Sequence, residues 1–326
     1  MKRMLAFLRR LTHRIPPPRE WMLEVTNRCN LACPMCLRDK MDFTPHDMDF
    51  HFAQRLLEET ESLPDAIWPY GYGEPLMYPR IFDIIRLAKK KGIVVSLSTN
   101  GTHLNKDAGE ELLRSKLDYL IVAFDGATPE TYAKYRKGAN FHQVKANVEG
   151  FLALKAAGRF SLHLTLQMIL MLETSREVSA FRHLWKRRGV DCVRVREDLL
   201  NFENSGVHSE GHRAGHRPCF FLWRGPLFIQ AAGTVIPCPY YHGSEPFADL
   251  KSQTVIEAWN SPKMIELRRA HISYNLSKFP ICAKCPRYQP HALVAAASFF
   301  IGTREIRRYL PVAEQIQQTL GKKFFE

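Results

Sequence analysis

Three thiols stand within eight residues, in the stretch Cys29-Asn-Leu-Ala-Cys33-Pro-Met-Cys36. Thiolates are soft ligands and suit iron–sulfur clusters or zinc. A structural zinc ion takes four ligands and is closed, and no fourth ligand is close in sequence. A four-iron cluster held by three thiolates keeps one iron open, and an open iron can bind a substrate or cofactor. A second group, Cys219, Cys238, Cys282 and Cys285, offers four thiols and ends in a C-x2-C pair. On spacing alone that set fits zinc or a fully ligated cluster. Cys192 lies in the apolar run from Val190 to Val195 and reads as a small core residue.

Such ligands need elements to carry them. Trp21 to Thr26 alternates and is partly β-branched, which predicts a strand leading into the first loop. Strand patterns recur at Ala66–Tyr70, Ile93–Ser98, Tyr119–Phe124, Leu162–Leu170 and Cys192–Val195. Helical patterns alternate with them at Phe50–Ser62, Arg80–Lys91, Lys106–Ser115, Pro129–Lys137, Phe141–Ala157 and Arg176–Arg188. Successive parallel strands need helical crossovers, so the fold class is α/β, a partial (βα)6 TIM-like barrel. In such barrels the chemistry sits on loops at the carboxyl ends of the strands. The three-cysteine loop follows the first strand and obeys that rule.

Further polar motifs fall on the next strand ends: Gly71-Tyr72-Gly73-Glu74-Pro75, then Ser98-Thr99-Asn100-Gly101, then Phe124-Asp125-Gly126-Ala127-Thr128, and Arg136 shortly after. Together with the C-x3-C-x2-C spacing these resemble the radical S-adenosylmethionine (SAM) superfamily. The resemblance implies that Cys29, Cys33 and Cys36 ligate a 4Fe-4S cluster whose open iron chelates SAM. It implies that Gly71, Gly73 and Glu74 meet the SAM amino group. Asn100 and Asp125 would lie near its sugar and methionine parts, Arg136 would pair with its carboxylate, and Met35 would cover the adenine. Tyr72 replaces a glycine of the family pattern, and Ala123 stands where a serine is usual. Asn and Asp also serve turns and caps, and Met serves packing, so each has a structural role as its alternative.

The second cysteine group has its own pattern. Phe228 to Cys238 reads as a hairpin turning at Ala232-Gly233, and Val255–Asn260 and Lys263–His271 are helical, with Ser261-Pro262 starting the latter. The Gly-x4-Cys hairpin, the Trp259-Asn-Ser-Pro-Lys-Met stretch and the Cys-x2-Cys-Pro ending resemble the SPASM/twitch extension of radical SAM enzymes. The implied form is the short twitch type, with one auxiliary 4Fe-4S cluster held by Cys219, Cys238, Cys282 and Cys285. The expected division is an amino-terminal extension and proline linker (1–18), the barrel core (19–200), a bridging loop (201–218), a twitch-type hairpin and helix domain (219–290) and a helical tail (291–326).

The chain has 326 residues, a net charge of +13 and 45% hydrophobic residues, ordinary for a globular protein of about two domains. Cysteines in ligand-spaced groups point to a reducing compartment, so a cytoplasmic protein is expected. Residues Met1 to Ile15 form a basic amphipathic pattern. With the apolar Ala292–Ile301 run, they would allow peripheral membrane contact, whereas packing on the barrel is the commoner use of such a stripe. His208, His212 and His216 are spaced by four, but glycines interrupt the helix that would align them. Glu197 and Asp198 follow the last strand and are the candidate proton acceptors.

The leading expectation is an oxidoreductase. The SAM-derived radical would take hydrogen from a small molecule, a sugar alcohol or lipid-linked compound, and the auxiliary cluster would accept the second electron. A flavodoxin or ferredoxin would supply the reductant. The alternative is peptide or protein modification, such as thioether formation or maturation of an active-site residue. The reading outside this class is a metal-bearing nucleic-acid binder. Positive charge is its only support, and nucleic acid is not expected as a partner.

Overall fold

The computed structural model describes residues 15–197 and 218–285, apart from 42, 43, 59, 61, 62, 242, 244 and 284. The amphipathic stretch up to residue 14, Asp198, the three spaced histidines, the bridging loop to residue 217 and the tail lie outside the described residues. Six strands follow one another in the first part: β1 (Glu20–Leu23), β2 (Ala66–Trp68), β3 (Val94–Thr99), β4 (Tyr119–Ala123), β5 (His163–Leu170) and β6 (Cys192–Glu197). Each pairs in parallel with the next. The helices between them are α1 (Phe50–Glu58), α2 (Ile81–Lys90), α3 (Lys106–Arg114), α4 (Pro129–Tyr135), α5 (Phe141–Ala157) and α6 (Val178–Trp185).

The helices begin where the sequence supplies caps. Asn105, Thr128 and Asn140 each accept a backbone N–H three residues on, and Pro129 occupies the first position of α4. In α2, Ile81, Ile84, Ile85 and Ala88 recur at helical spacing and are buried against the sheet. The expected helix over Arg176–Arg188 opens instead as a 3₁₀ turn (Thr174–Glu177) and ends at Trp185.

Alternation along the strands sorts two faces. Trp21, Leu23, Ile67, Val95, Leu97, Leu120, Val122, Leu164 and Leu166 join the helices in one continuous core. Their neighbours of opposite parity, among them Met22, Trp68, Ser96, Ser98, Ile121, Thr165 and Gln167, line a cavity inside the curve of the sheet. A slip of one residue would exchange the faces, so burial fixes which side chains meet a ligand.

The hairpin lies where the pattern puts it, as β7 (Leu227–Ile229) and β8 (Thr234–Ile236), with a short β9 (Ala248–Asp249) beyond. Its docking was not legible. β7 pairs in parallel with β1, matching Trp21 with Leu227 and Leu23 with Ile229, so the sheet runs β6-β5-β4-β3-β2-β1-β7-β8-β9. The unpaired side of β1 is thereby covered, which removes an exposed edge. Helices α7 (Phe221–Arg224), α8 (Val255–Trp259), α9 (Pro262–Ser273) and α10 (Pro280–Ala283) complete this part. Among the described residues no helix is long and apolar enough to cross a membrane.

Candidate active site

The loop after β1 is shaped by its own backbone and by Arg38. The Cys36 N–H donates to the Cys33 carbonyl at 3.0 Å. Arg38 reaches back and donates to the carbonyls of Cys29 at 3.0 Å and Leu31 at 2.7 Å. Each sulfur then has a donor beside it. The Asn100 side-chain amide is 3.8 Å from Cys29 Sγ, Arg136 Nη1 is 4.0 Å from Cys33 Sγ, and the Arg38 N–H is 3.5 Å from Cys36 Sγ. Burial pushes the Cys33 thiol up to about 11 against the pull of Arg136, and burial raises Cys36 as well. Burial thus favours the protonated form of Cys33 and Cys36, and a metal must displace those protons. The three donors are already placed for the thiolate charge that results.

Glu74 is 2% exposed and caps the turn at Pro75–Met77. Its Oε1 accepts from the Leu76 N–H at 3.1 Å and the Thr99 hydroxyl at 2.7 Å, and its Oε2 from the Asn100 N–H at 2.7 Å. Burial raises its pKa and these donors oppose the rise. The two glycines before it line the cavity and are also required by packing. A Cβ on Gly73 would stand 2.2 Å from the Thr26 carbonyl oxygen, and one on Gly71 would stand 2.7 Å from Glu24 Oε1. Their absent side chains let this turn lie against the end of β1. Asn100 works as a turn residue too: its Oδ1 accepts from the Thr102 N–H at 2.9 Å, and its amide donates to Asn30 at 3.0 Å.

Asp125 is fully buried and is not on the cavity wall. One oxygen accepts the Ile169 N–H at 2.6 Å and the other meets Arg136 Nη2 at 2.6 Å. Its contact is with the arginine, which does line the cavity. Burial pulls the Arg136 pKa down, but Asp125, Cys33 and Tyr132 more than offset this and raise it. Met35 is 7% exposed and packs with Leu31, Tyr135 and Met171 while facing the cavity. Glu197 ends β6 opposite Leu170; its side chain, like Asp198, lies outside the described residues.

The cavity measures about 640 Å³, within the range of small-ligand sites. Cys29, Cys33, Cys36, Met35, Gly71, Gly73, Glu74, Asn100 and Arg136 all line it, and so do Pro239 and Tyr240, which follow Cys238. The second group is assembled by packing. Cys219 and Cys282 pack on the main core, and the Cys219 N–H donates to His271 Nδ1 at 3.4 Å. Tyr241, raised in pKa first by burial, also feels Cys282 and Cys238 beside it. Sequence reasoning missed Arg38, Thr99 and Glu24. Only Arg38 carried a signal, its position two residues past Cys36.

The residues present fit a thiolate-held cluster with SAM. Arg136 Nε is buried and donates to nothing in the chain, so the cavity wall holds a cationic donor unused by the fold and suited to a carboxylate. Among the described residues no three Cys, His, Asp or Glu side chains converge on a single metal ion.

Residues 23–184 match the model of the radical SAM superfamily, and residues 219–286 match that of an iron–sulfur cluster-binding domain. The tungsten-containing aldehyde ferredoxin oxidoreductase cofactor-modifying protein of Pyrococcus furiosus is 24% identical over 311 residues, covering 81% of this chain and 86% of that protein. A PqqA peptide cyclase of Gluconobacter oxydans is 23% identical over 293 residues, covering 78% of this chain and 79% of that protein. The crystal structure of BtrN in complex with AdoMet and 2-DOIA superposes with a TM-score of 0.55 at 16% identity, covering 84% of this chain and 94% of that one. That likeness is one of fold.

Proposed function

This chain belongs to the radical SAM superfamily and is an enzyme with a SPASM-type iron–sulfur domain; from that premise we propose that it modifies a peptide or protein, with a single auxiliary cluster on Cys219, Cys238, Cys282 and Cys285. When bound, the family's 4Fe-4S cluster and SAM supply a carbon radical that removes hydrogen from an unactivated carbon. The chain's own residues do the rest. Cys29, Cys33 and Cys36 ligate, while Asn100, Arg136 and the Arg38 N–H stabilise the sulfur charge. Glu74 would answer the SAM ammonium, Arg136 would offer its unused Nε to the carboxylate, and Met35 would cover the adenine. Asp125 holds Arg136 in place. A small reductant protein such as a flavodoxin or ferredoxin delivers the electron.

The observation that carries this reading is that both cysteine loops border one cavity. A substrate bound there would lie between the three-cysteine loop and the loop after Cys238, the arrangement that a two-electron oxidation with a second cluster as acceptor would use. The peptide substrate is supported by the PqqA peptide cyclase, which matches over 78% of this chain. The sugar-alcohol or lipid-linked substrate expected from the sequence has less behind it, because the likeness to BtrN does not carry that protein's ligand across.

Anaerobic reconstitution should give about eight irons per chain and, on reduction, conversion of SAM to deoxyadenosine. Peptides encoded by short reading frames beside the gene should then lose hydrogen or gain a cross-link by mass spectrometry. SAM cleavage with every such peptide unchanged, and a sugar alcohol or polyprenyl-linked sugar oxidised instead, would restore the small-molecule reading.

A further inference from the structure

Tyr72 stands where the family pattern has a glycine, and the proposed chemistry does not use it. Its backbone N–H donates to Glu24 Oε1 at 3.0 Å, fixing the turn on β1. Its phenol O–H crosses to the other cysteine group and donates to the Pro239 carbonyl at 2.8 Å. Pro239 directly follows Cys238. The ring meets Phe228 of β7 at 5.6 Å between centroids, and the hairpin partner of β7 leads into Cys238. The same turn touches the three-cysteine loop, since the Glu74 N–H donates to the Arg28 carbonyl at 2.8 Å. Tyr72 lines the cavity together with Cys29, Cys36 and Tyr240. Burial, then Cys238, Glu24 and Cys36 in turn, all disfavour its ionised form, so the phenol keeps the proton that it donates.

We propose that Tyr72 is a positioning residue that tethers the Cys238 loop to the three-cysteine loop and so sets where the auxiliary cluster stands over the cavity. The second half of this statement rests on the reading of Cys219, Cys238, Cys282 and Cys285 as cluster ligands; the tether itself does not. A glycine at this position would leave the Pro239 carbonyl without its donor and the face of Phe228 uncovered. Transfer of an electron across the cavity depends steeply on separation, so a loop free to shift would give a poorer acceptor.

Two measurements on Tyr72→Phe and Tyr72→Leu test this. In the metal-free full chain, alkylation of Cys238 by iodoacetamide, followed by mass spectrometry, should quicken about fivefold in Tyr72→Phe, the worth of one net hydrogen bond. Labelling of Cys36 should not change. In the reconstituted protein, redox titration by electron paramagnetic resonance should show a shifted midpoint for the auxiliary cluster and an unshifted one for the SAM-responsive cluster. Tyr72→Leu should exaggerate both effects. Wild-type behaviour of Tyr72→Phe in both measurements overturns the tether. If the wild-type chain holds only about four irons, the auxiliary-cluster reading fails, while the alkylation rates still decide on the tether.

Discussion

The two cysteine groups are built by opposite means. The first is local: its thiols share one loop, and the cation beside them is answered by a carboxylate, Arg136 on Asp125 at 2.6 Å with side chains 10% and 0% exposed. The second is drawn from three distant segments, and among the described residues no carboxylate answers the buried cation of that part of the chain, Arg268. Arg268 is fully buried and donates to the carbonyls of Leu222 at 2.8 Å and Trp259 at 2.7 Å. Its guanidinium lies 4.7 Å from the Trp259 ring centroid. Asn260, 3.5 Å from Arg268 Nη1, also clasps Ile15 through bonds of 2.9 and 3.0 Å. A site that must receive a charged cofactor has its charges set beforehand. A site whose ligands all come from protein needs its segments stapled, and backbone carbonyls suffice for that.

Cysteine replacement is the largest way to divide the two. Cys33→Ala should bring SAM cleavage down to the level of the protein-free control. Cys238→Ser should instead lose roughly half the iron and keep the SAM-responsive signal. Loss of that signal in Cys238→Ser would mean that the groups are not separate sites. Next is the buried pair. Asp125→Ala leaves Arg136 charged and unanswered in the interior, and breaking such a pair costs about 3–5 kcal/mol. Urea unfolding of the metal-free chain should show a loss of that size; a loss under about 1 kcal/mol would mean that the pair is solvated.

That contrast also explains what could be read from the sequence. The first group was legible because its ligands, strand and glycine turns lie within one or two elements, where spacing and periodicity act. The partner residues were legible as types but not as contacts. Asp125 was expected near the ligand and is joined to the cavity through Arg136, a contact the sequence does not show, since both residues simply follow β4. Gly71 and Gly73 line the cavity as expected of ligand-facing glycines, but their second duty, letting the turn lie against Thr26 and Glu24, is a packing fact that spacing does not show. The parallel seam of β7 on β1 left no local mark, since both strands would be apolar beside any neighbour.

Glu24 lies on the seam between the two regions and offers a finer test. One of its oxygens takes the Tyr72 N–H and the other takes the Ala231 N–H of the hairpin at 3.2 Å. Burial pushes its pKa from 4.5 up to about 7, against the pull of those two donors. The folded chain therefore holds a proton that the unfolded chain has released between those pH values. Stability should fall as pH rises through that window and level off above it, by about 3 kcal/mol in all. Denaturant titrations of the metal-free chain at several pH values should show this slope, and Glu24→Gln should flatten it. An unchanged slope in Glu24→Gln would assign the pH dependence to another group.

The smallest effect is expected at Arg268, and it separates the two regions most finely. Arg268→Met keeps the aliphatic stem and its packing on Trp259. It also removes a buried charge whose desolvation opposes folding. Against that gain, the carbonyls of Leu222 and Trp259 lose their donors inside the core, at roughly 1–3 kcal/mol each. The two contributions oppose each other, so a net loss of about 1–3 kcal/mol is expected, smaller than for Asp125→Ala although Arg268 is the more buried cation. Iron retention on the second group should weaken while the SAM-responsive signal stays. If Arg268→Met were as damaging as Asp125→Ala, relief of the buried charge would count for little, and the contrast between a charge-paired site and a carbonyl-stapled one would be lost.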